Sequence, residues 1–431
     1  MTWRRRFRLR QRLKSSIWVI PVGGAVLGLL LSLASVAIED AVGFPDALDY
    51  SSSSGLSILT TIIGATVGLF GFVVTVSVLV VQMSTGTFSA RYMRLWYRDR
   101  TLKAVLAVLL CTLTLSFTLL RHIGESVPNL GIMLAGFSLG LGLVLFLVFL
   151  DRVMHRLRPV AVAALVARAG RKSLRDAAAF VSPPRGEETD RELAALHDRS
   201  PSLTLRTRRP GAIQAFDGRG LVRWAIRHDA VIVWRRAAGD FVSEGSGVLD
   251  VYCDPPPPRI AEHRLRGMVA LGTERTIEHD PAFALRILVD IAERALSPAV
   301  NDPTTAVQVL DHLEDTLVVI GTTPGGIGRW EYRDDEGRLR MVAPAHRWDD
   351  FLALGVTEIR QYGRGSIQVM RRLRAMLDAL RESVLPEYIA AVDVELGRLD
   401  ETVETAFGAT PDAAEARRAD RQGIGGPSAL A

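Results

Sequence analysis

Residues 56–83 read LSILTTIIGATVGLFGFVVTVSVLVVQM, 28 positions without a Lys, Arg, Asp or Glu. A helix crossing about 30 Å of hydrocarbon needs about 20 such positions. Residues 17–38, 102–120 and 130–150 meet the same requirement, and none carries a Lys, Arg, Asp or Glu in its core. Backbone polar groups in hydrocarbon must be satisfied within the segment, so each stretch is read as a helix. The mean hydropathy of the whole chain is only +0.19. The apolar excess therefore sits in residues 17–150, and the rest reads as a water-exposed α+β chain. The fold class expected is an α-helical membrane protein with four transmembrane helices and a cytoplasmic α+β domain.

The flanking charges give the orientation. Arg4, Arg5, Arg6, Arg8, Arg10, Arg12 and Lys14 precede the first span, in a basic tail over residues 1–16. The first loop holds Glu39, Asp40, Asp46 and Asp49 and no basic residue. The second loop holds Arg91, Arg94, Arg98, Arg100 and Lys103, and Arg152, Arg156 and Arg158 follow the fourth span. Basic loops are retained in the cytoplasm. Both termini are therefore expected inside, in the inner membrane of a bacterium. The apolar core after the N-terminal arginines is 22 residues long. A signal peptide has an apolar region of about 7–15, so an uncleaved signal anchor is expected. The second loop also carries Tyr92, Trp96 and Tyr97 among its arginines, the pattern of an interfacial belt or of a surface-lying helix.

The formal net charge of +5 is accounted for by these flanks, so nucleic acid is not expected as a partner. Two cysteines, Cys111 and Cys253, give neither a metal spacing nor a disulfide framework. No cofactor and no metal are expected.

Inside the spans, Thr60, Thr66, Thr75 and Ser77 form a hydroxyl series in the second helix and are the candidate pore-lining residues. Gly64 with Gly68, and Gly136 with Gly140, are GxxxG steps that allow close helix packing. Ion-coupled carriers keep an acid or base near the midplane, and none is present. That disfavours active transport and leaves a passive pore or none. Four helices in one protomer leave little room for water, so a pore would require a homo-oligomer.

Beyond the spans, residues 151–210 read as a linker broken by Pro183 and Pro184. Residues 211–254 read as a small β-rich module of short strands with Gly turns. Residues 259–407 read as a helical block. In it Asp280-Pro281 and Asp302-Pro303 each pair an aspartate N-cap with proline at the first helical position. Residues 321–345 read as loose and residues 408–431 as a disordered tail. Ser297, Asn301, Asp302, Thr304 and Thr305 crowd one helix start. That string is either a ligand-binding turn or a structural cap, and an acid–base role for Asp302 would need His279 or His312 beside it.

The strings FSARYMRLWYRDRTL (88–102), GDFVSEGSGVLDV (239–251), ALSPAVNDPTTA (295–306) and RWDDFLALGVTEIRQYG (347–363) carry a resemblance along most of the chain. They resemble a bacterial family of predicted membrane proteins, domain of unknown function 2254. The resemblance implies the layout above and brings no catalytic residues. No P-loop, GxSxG or HExxH is present, so an enzyme is not expected. Two readings of function remain: an oligomeric passive channel with a cytoplasmic regulatory domain, or a membrane-anchored sensor or scaffold. The lipid bilayer is the one partner common to both, and the ligand is not identified.

Overall fold

A computed structural model describes residues 2–42, 49–87, 99–123, 127–156, 158–178, 182, 185–257, 259–323 and 328–423. Tyr92, Trp96 and Tyr97 lie outside the described residues. The chain forms two compact units, Arg10–Arg158 and Met1–Leu9 with Pro159–Ala431.

The first unit contains α2 (Val19–Val42), α3 (Ser52–Thr87), α4 (Arg100–Leu120) and α5 (Asn129–Arg156). All four are long and apolar enough to cross a membrane, so the chain is a membrane protein. Its central helix is α4, packed against the other three and 56% buried over its span, where α3 is 17% buried. Two apolar clusters fill the interior. Val73, Val80, Leu102, Val105, Leu109 and Phe149 make one. Leu59, Ile62, Leu115, Leu119, Ile132 and Ala135 make the other.

Helix ends need partners for their free N–H groups. Asp99 caps α4, accepting from Thr101 N at 2.6 Å and Leu102 N at 3.1 Å. The start of α5 is capped from the last turn of α2 and the chain that follows it. Glu39 accepts from Asn129 N at 3.0 Å and Leu130 N at 3.1 Å. The Asn129 amide in turn donates to Asp49 and accepts from Tyr50 N at 2.9 Å. Two acids that read in sequence as topology markers, Glu39 in the last turn of α2 and Asp49 beyond it, thus also hold the start of α5.

In the second unit, helices pack beside two sheets. The five-stranded sheet has the order β1 (Leu203–Arg206), β5 (Gly247–Tyr252), β3 (Val231–Trp234), β8 (Leu339–Pro344), β7 (Arg329–Arg333). All its pairings are antiparallel except β3 with β8. The three-stranded sheet has the order β4 (Phe241–Val242), β2 (Gly211–Phe216), β6 (Val269–Gly272), all antiparallel. One core serves both sheets and includes Phe216, Trp224 of α8 (Gly218–Arg227), Ile232, Trp234, Leu249, Leu265, Trp330 and Met341.

This corrects the expected β-rich module of residues 211–254. The module is not closed: β1, β6, β7 and β8 come from outside it, and β4 and β5 lie in different sheets. The segment expected to be loose, 321–345, supplies the β7–β8 hairpin. The described residues of the expected linker, 151–210, are held by long-range contacts, and Pro183 and Pro184 lie outside them. Its α6 (Pro159–Ala178) packs on α10 (Pro281–Ala295) and α11 (Pro303–Gly321). Its α7 (Glu187–His197) is held through buried Glu331, which accepts from Thr189 Oγ1 at 2.6 Å. Arg333 adds bonds to Glu192 at 2.7 Å and Thr189 at 2.8 Å. Thr189 and Glu192 thus clamp α7 to β7.

Around buried α10 stand α6, α11 and α12 (Trp348–Tyr362). Beyond these come α13 (Ile367–Ser383) and α14 (Ile389–Phe407). The tail expected to be disordered carries α15 (Pro411–Arg417), whose Ala413 and Ala416 are buried and which packs on α13. Between α8 and α10 the chain runs through α9 (Arg259–Arg266). Residues 2–9, the first part of α1 (Trp3–Ser15), belong to this unit, and Arg4 N donates to the Gly267 carbonyl at 2.8 Å.

Candidate functional site

A residue advances about 100° around an α-helix. Counting from Thr60 in α3, Gly71 falls at about 20°, Gly64 at 40°, Thr75 at 60° and Gly68 at 80°. Thr66 falls at about 240° and Ser77 at 260°. Burial follows this geometry. Thr60, Gly64, Gly68, Gly71 and Thr75 are exposed on the protomer, whereas Thr66 is fully buried and Ser77 half-buried. The hydroxyl series is therefore split between opposite faces. Thr66 shares the inward face with Leu59, Ile62, Val73 and Val80. The hydroxyls of Thr60, Thr75 and Ser77 donate to carbonyls of their own helix, at Leu56, Gly71 and Val73.

A Cβ added at Gly64, Gly68, Gly71, Gly136 or Gly140 would meet nothing within 4 Å. Among the described residues these glycines pack no helices inside the protomer. That role belongs to Gly24 and Gly28 of α2. A Cβ there would lie 2.2 Å from the carbonyl oxygens of Ala107 and Cys111 on α4. The signal was present in the sequence as a third GxxxG step facing an Ala-x-x-x-Cys step.

The string around Asn301 closes on itself. Asn301 adopts a positive φ of 48°. Asp302 caps α11, accepting from Thr305 N at 3.0 Å and from the Thr305 hydroxyl. Ser297 Oγ donates to the Arg294 carbonyl at 2.7 Å, and Asp302 N donates to the Ala295 carbonyl at 2.7 Å. Thr304 accepts a long 3.5 Å bond from Gln368. Among the described residues no histidine is a hydrogen-bond partner of Asp302.

The other aspartate cap, Asp280, stands beside a cavity of about 30 Å³, room for about one water. His279, Trp330, His346 and Phe351 are among its walls. Asp280 is 2% exposed. It accepts from Phe283 N at 3.0 Å and pairs with Arg275 at 2.7 Å. Burial pushes its carboxyl above the usual range, against the pull of Arg275. The His279 ring meets Phe216 edge-on with centroids 5.6 Å apart. Periodicity alone could not bring β2, β7 and the start of α10 to one point. Among the described residues no cluster of three metal-ligating side chains occurs.

The model of a family of predicted membrane proteins, domain of unknown function 2254, matches residues 14–379. The chain belongs to this family. Similar to it are uncharacterized proteins of Mycobacterium tuberculosis, strains CDC 1551 and H37Rv, and of Mycobacterium bovis. Each is 26% identical over 437 aligned positions, covering 95% of this chain and 80% of the relative. No solved structure matches. Membership in the family of domain of unknown function 2254 brings no activity with it.

Burial holds the imidazole pKa of His279 below its ordinary value, with Glu278 and Asp176 opposing. His312 is lowered in the same sense, again by burial first. A histidine kept neutral in the fold resists a proton that the unfolded chain accepts near pH 6.5. Its stabilisation is complete above that pH and is lost as pH falls towards the folded pKa. The full-length protein in detergent is therefore expected to melt at a lower temperature at pH 5.5 than at pH 7.5. His279→Gln should flatten that dependence. An unchanged pH profile in the variant would assign the effect elsewhere.

Proposed function

We propose that the protein is a homo-oligomer of the inner membrane, joined through the outward face of α3, with that face lining a passive path for small solutes or ions. The C-terminal unit is its cytoplasmic regulatory domain. The observation that carries this reading is the exposed Gly64–Gly68–Gly71 strip, with Thr60 on its edge and Thr75 within it. Each glycine costs a helix about 1 kcal/mol relative to alanine, and no contact among the described residues requires one there. Small residues on a lipid-facing helix allow a second helix to approach closely. The protomer's own interior is filled with Leu, Val, Ile and Phe side chains, so an axis between copies is the available route.

The orientation is supported from two sides. Basic flanks mark the inner ends of the spans. In addition, residues 2–9 fold with the chain after Pro159, which requires an even number of crossings between them. Four spans meet that requirement.

The full-length protein in planar bilayers should conduct. Gly68→Leu should separate the copies and abolish the current while leaving the protomer as stable or more stable, by up to about 1 kcal/mol of helix propensity. Thr75→Val should alter unitary conductance. Absence of current from reconstituted wild-type protein would sink the pore. The second reading, a membrane-anchored sensor or scaffold, is favoured by the cavity between His279, Asp280 and His346. It expects a thermal shift with a monatomic ion or other water-sized ligand, and none after His346→Ala.

A further inference from the structure

The N-terminal arm and the end of α9 enclose a cleft of about 270 Å³. Thr2, Arg4 and Arg5 form one wall; His263, Arg266 and Gly267 form the other. The wall is fixed by the backbone bond from Arg4 N to the Gly267 carbonyl. A Cβ at Gly267 would lie 3.3 Å from the Thr2 side chain, so the glycine keeps the two walls close.

The charges in this cleft are unbalanced. Arg266 pairs with Glu262. Neither Arg4 nor Arg5 has an acidic partner among the described residues. Arg4 Nε is buried and makes no hydrogen bond. Burial, and then repulsion from Arg8, Arg266, Arg5 and Arg209, lower the Arg4 pKa. Several guanidinium groups thus converge on a half-enclosed space against one carboxylate. Like charges in such a half-enclosed place repel more strongly than they would in bulk water. A bound anion turns that repulsion into attraction, and the guanidinium fork matches phosphate oxygens in pairs.

Size and place narrow the anion. A volume of about 270 Å³ takes one headgroup, not a run of nucleotides. Trp3 is stacked on Phe7, with centroids 5.2 Å apart, and so is not a free platform for bases. The first span begins at Val19, fifteen residues after Arg4. Arginines next to a span lie where anionic headgroups concentrate.

We propose that the cleft between Arg4, Arg5, His263 and Arg266 binds a phosphate group, carried by the headgroup of an anionic phospholipid. The site does not depend on the pore.

The test measures binding of phosphatidylglycerol, phosphatidylcholine and inorganic phosphate to the full-length protein in neutral detergent. Wild type is compared with Arg4→Gln/Arg5→Gln. Arg223→Gln/Arg227→Gln, on exposed positions of α8, removes the same charge elsewhere. Phosphatidylglycerol should bind wild type and the α8 variant alike and the cleft variant at least about tenfold more weakly. Phosphatidylcholine should not compete. Removing mutually repelling charges should leave the melting temperature of the cleft variant unchanged or higher, so lost binding would not reflect lost folding. Binding of inorganic phosphate without phosphatidylglycerol would keep the phosphate site and overturn its lipid source. Equal binding by the cleft variant and wild type, equal losses in both variants, or no binding of either phosphate compound would overturn the proposal.

Discussion

Gly28→Leu is expected to abolish the packed membrane unit, whereas Gly68→Leu leaves the protomer intact. Both glycines stand in GxxxG steps of apolar helices, so sequence gives them the same weight. Their surroundings differ. At Gly28 a Cβ would lie 2.2 Å from the Cys111 carbonyl oxygen, and at Gly24 it would lie 2.2 Å from that of Ala107. The obstacle in each case is backbone, which no rotamer change can move. Packing α2 on α4 would then require a shift of the whole helix. Overpacking costs about 1–3 kcal/mol where side chains can give way, and more is expected here because they cannot. The contact at stake joins α2 to the central helix of the unit. The measurement is the yield of monodisperse protein in detergent and its melting temperature. Near-wild-type values for Gly28→Leu would mean that α2 and α4 do not approach this closely.

The contrast between those two steps marks how much could be read from the sequence. Four spans were legible because 20 or so uncharged residues in a row have one physical explanation in hydrocarbon. The starts of α10 and α11 were legible because aspartate followed by proline suits the N-cap and first helical positions. The face of α3 was half legible. A count of 100° per residue separates Thr66 and Ser77 from Thr60 and Thr75, but treating the hydroxyls as one series ignored it. The β architecture was not legible. Pairing of β3 with β8 joins Ile232 to Met341 and Val233 to Val342, and no local period reports a partner so distant. The clamp on α7 failed to show for the same reason. Glu331 and Thr189 are 142 residues apart, and a charged run without its partner looks like solvent-exposed linker. The cavity at Asp280 and the arginine cleft share that origin, since each draws its walls from separated segments.

The second large effect concerns the β7–β8 hairpin, where Asp334 organises both the turn and a buried cation. Its carboxylate accepts from Arg338 N at 2.9 Å and Glu336 N at 3.1 Å. It also accepts from Arg340 Nε at 2.8 Å. The Arg340 side chain is 4% exposed, and its other acidic partner, Asp229 at 2.9 Å, is 79% exposed. Burial alone would raise the Asp334 pKa, but bonds from Arg340 and Arg338 outweigh it and hold the carboxyl down at about 2. Asp334→Ala should therefore cost about 3 kcal/mol, since it leaves a buried guanidinium largely uncompensated. Asp334→Asn should cost less, because one amide oxygen still accepts from the turn. Adding Arg340→Met to Asp334→Ala should recover much of the loss, because the uncompensated charge goes with it. The pH dependence has a definite sign. A carboxyl depressed in the fold stabilises above its unfolded pKa near 3.9. That stabilisation fades as pH falls towards about 2. The stability gap between wild type and Asp334→Asn should thus narrow from pH 5 towards pH 2. A gap that stays constant across that range would show that the charge of Asp334 contributes nothing, and that its turn bonds alone hold the hairpin.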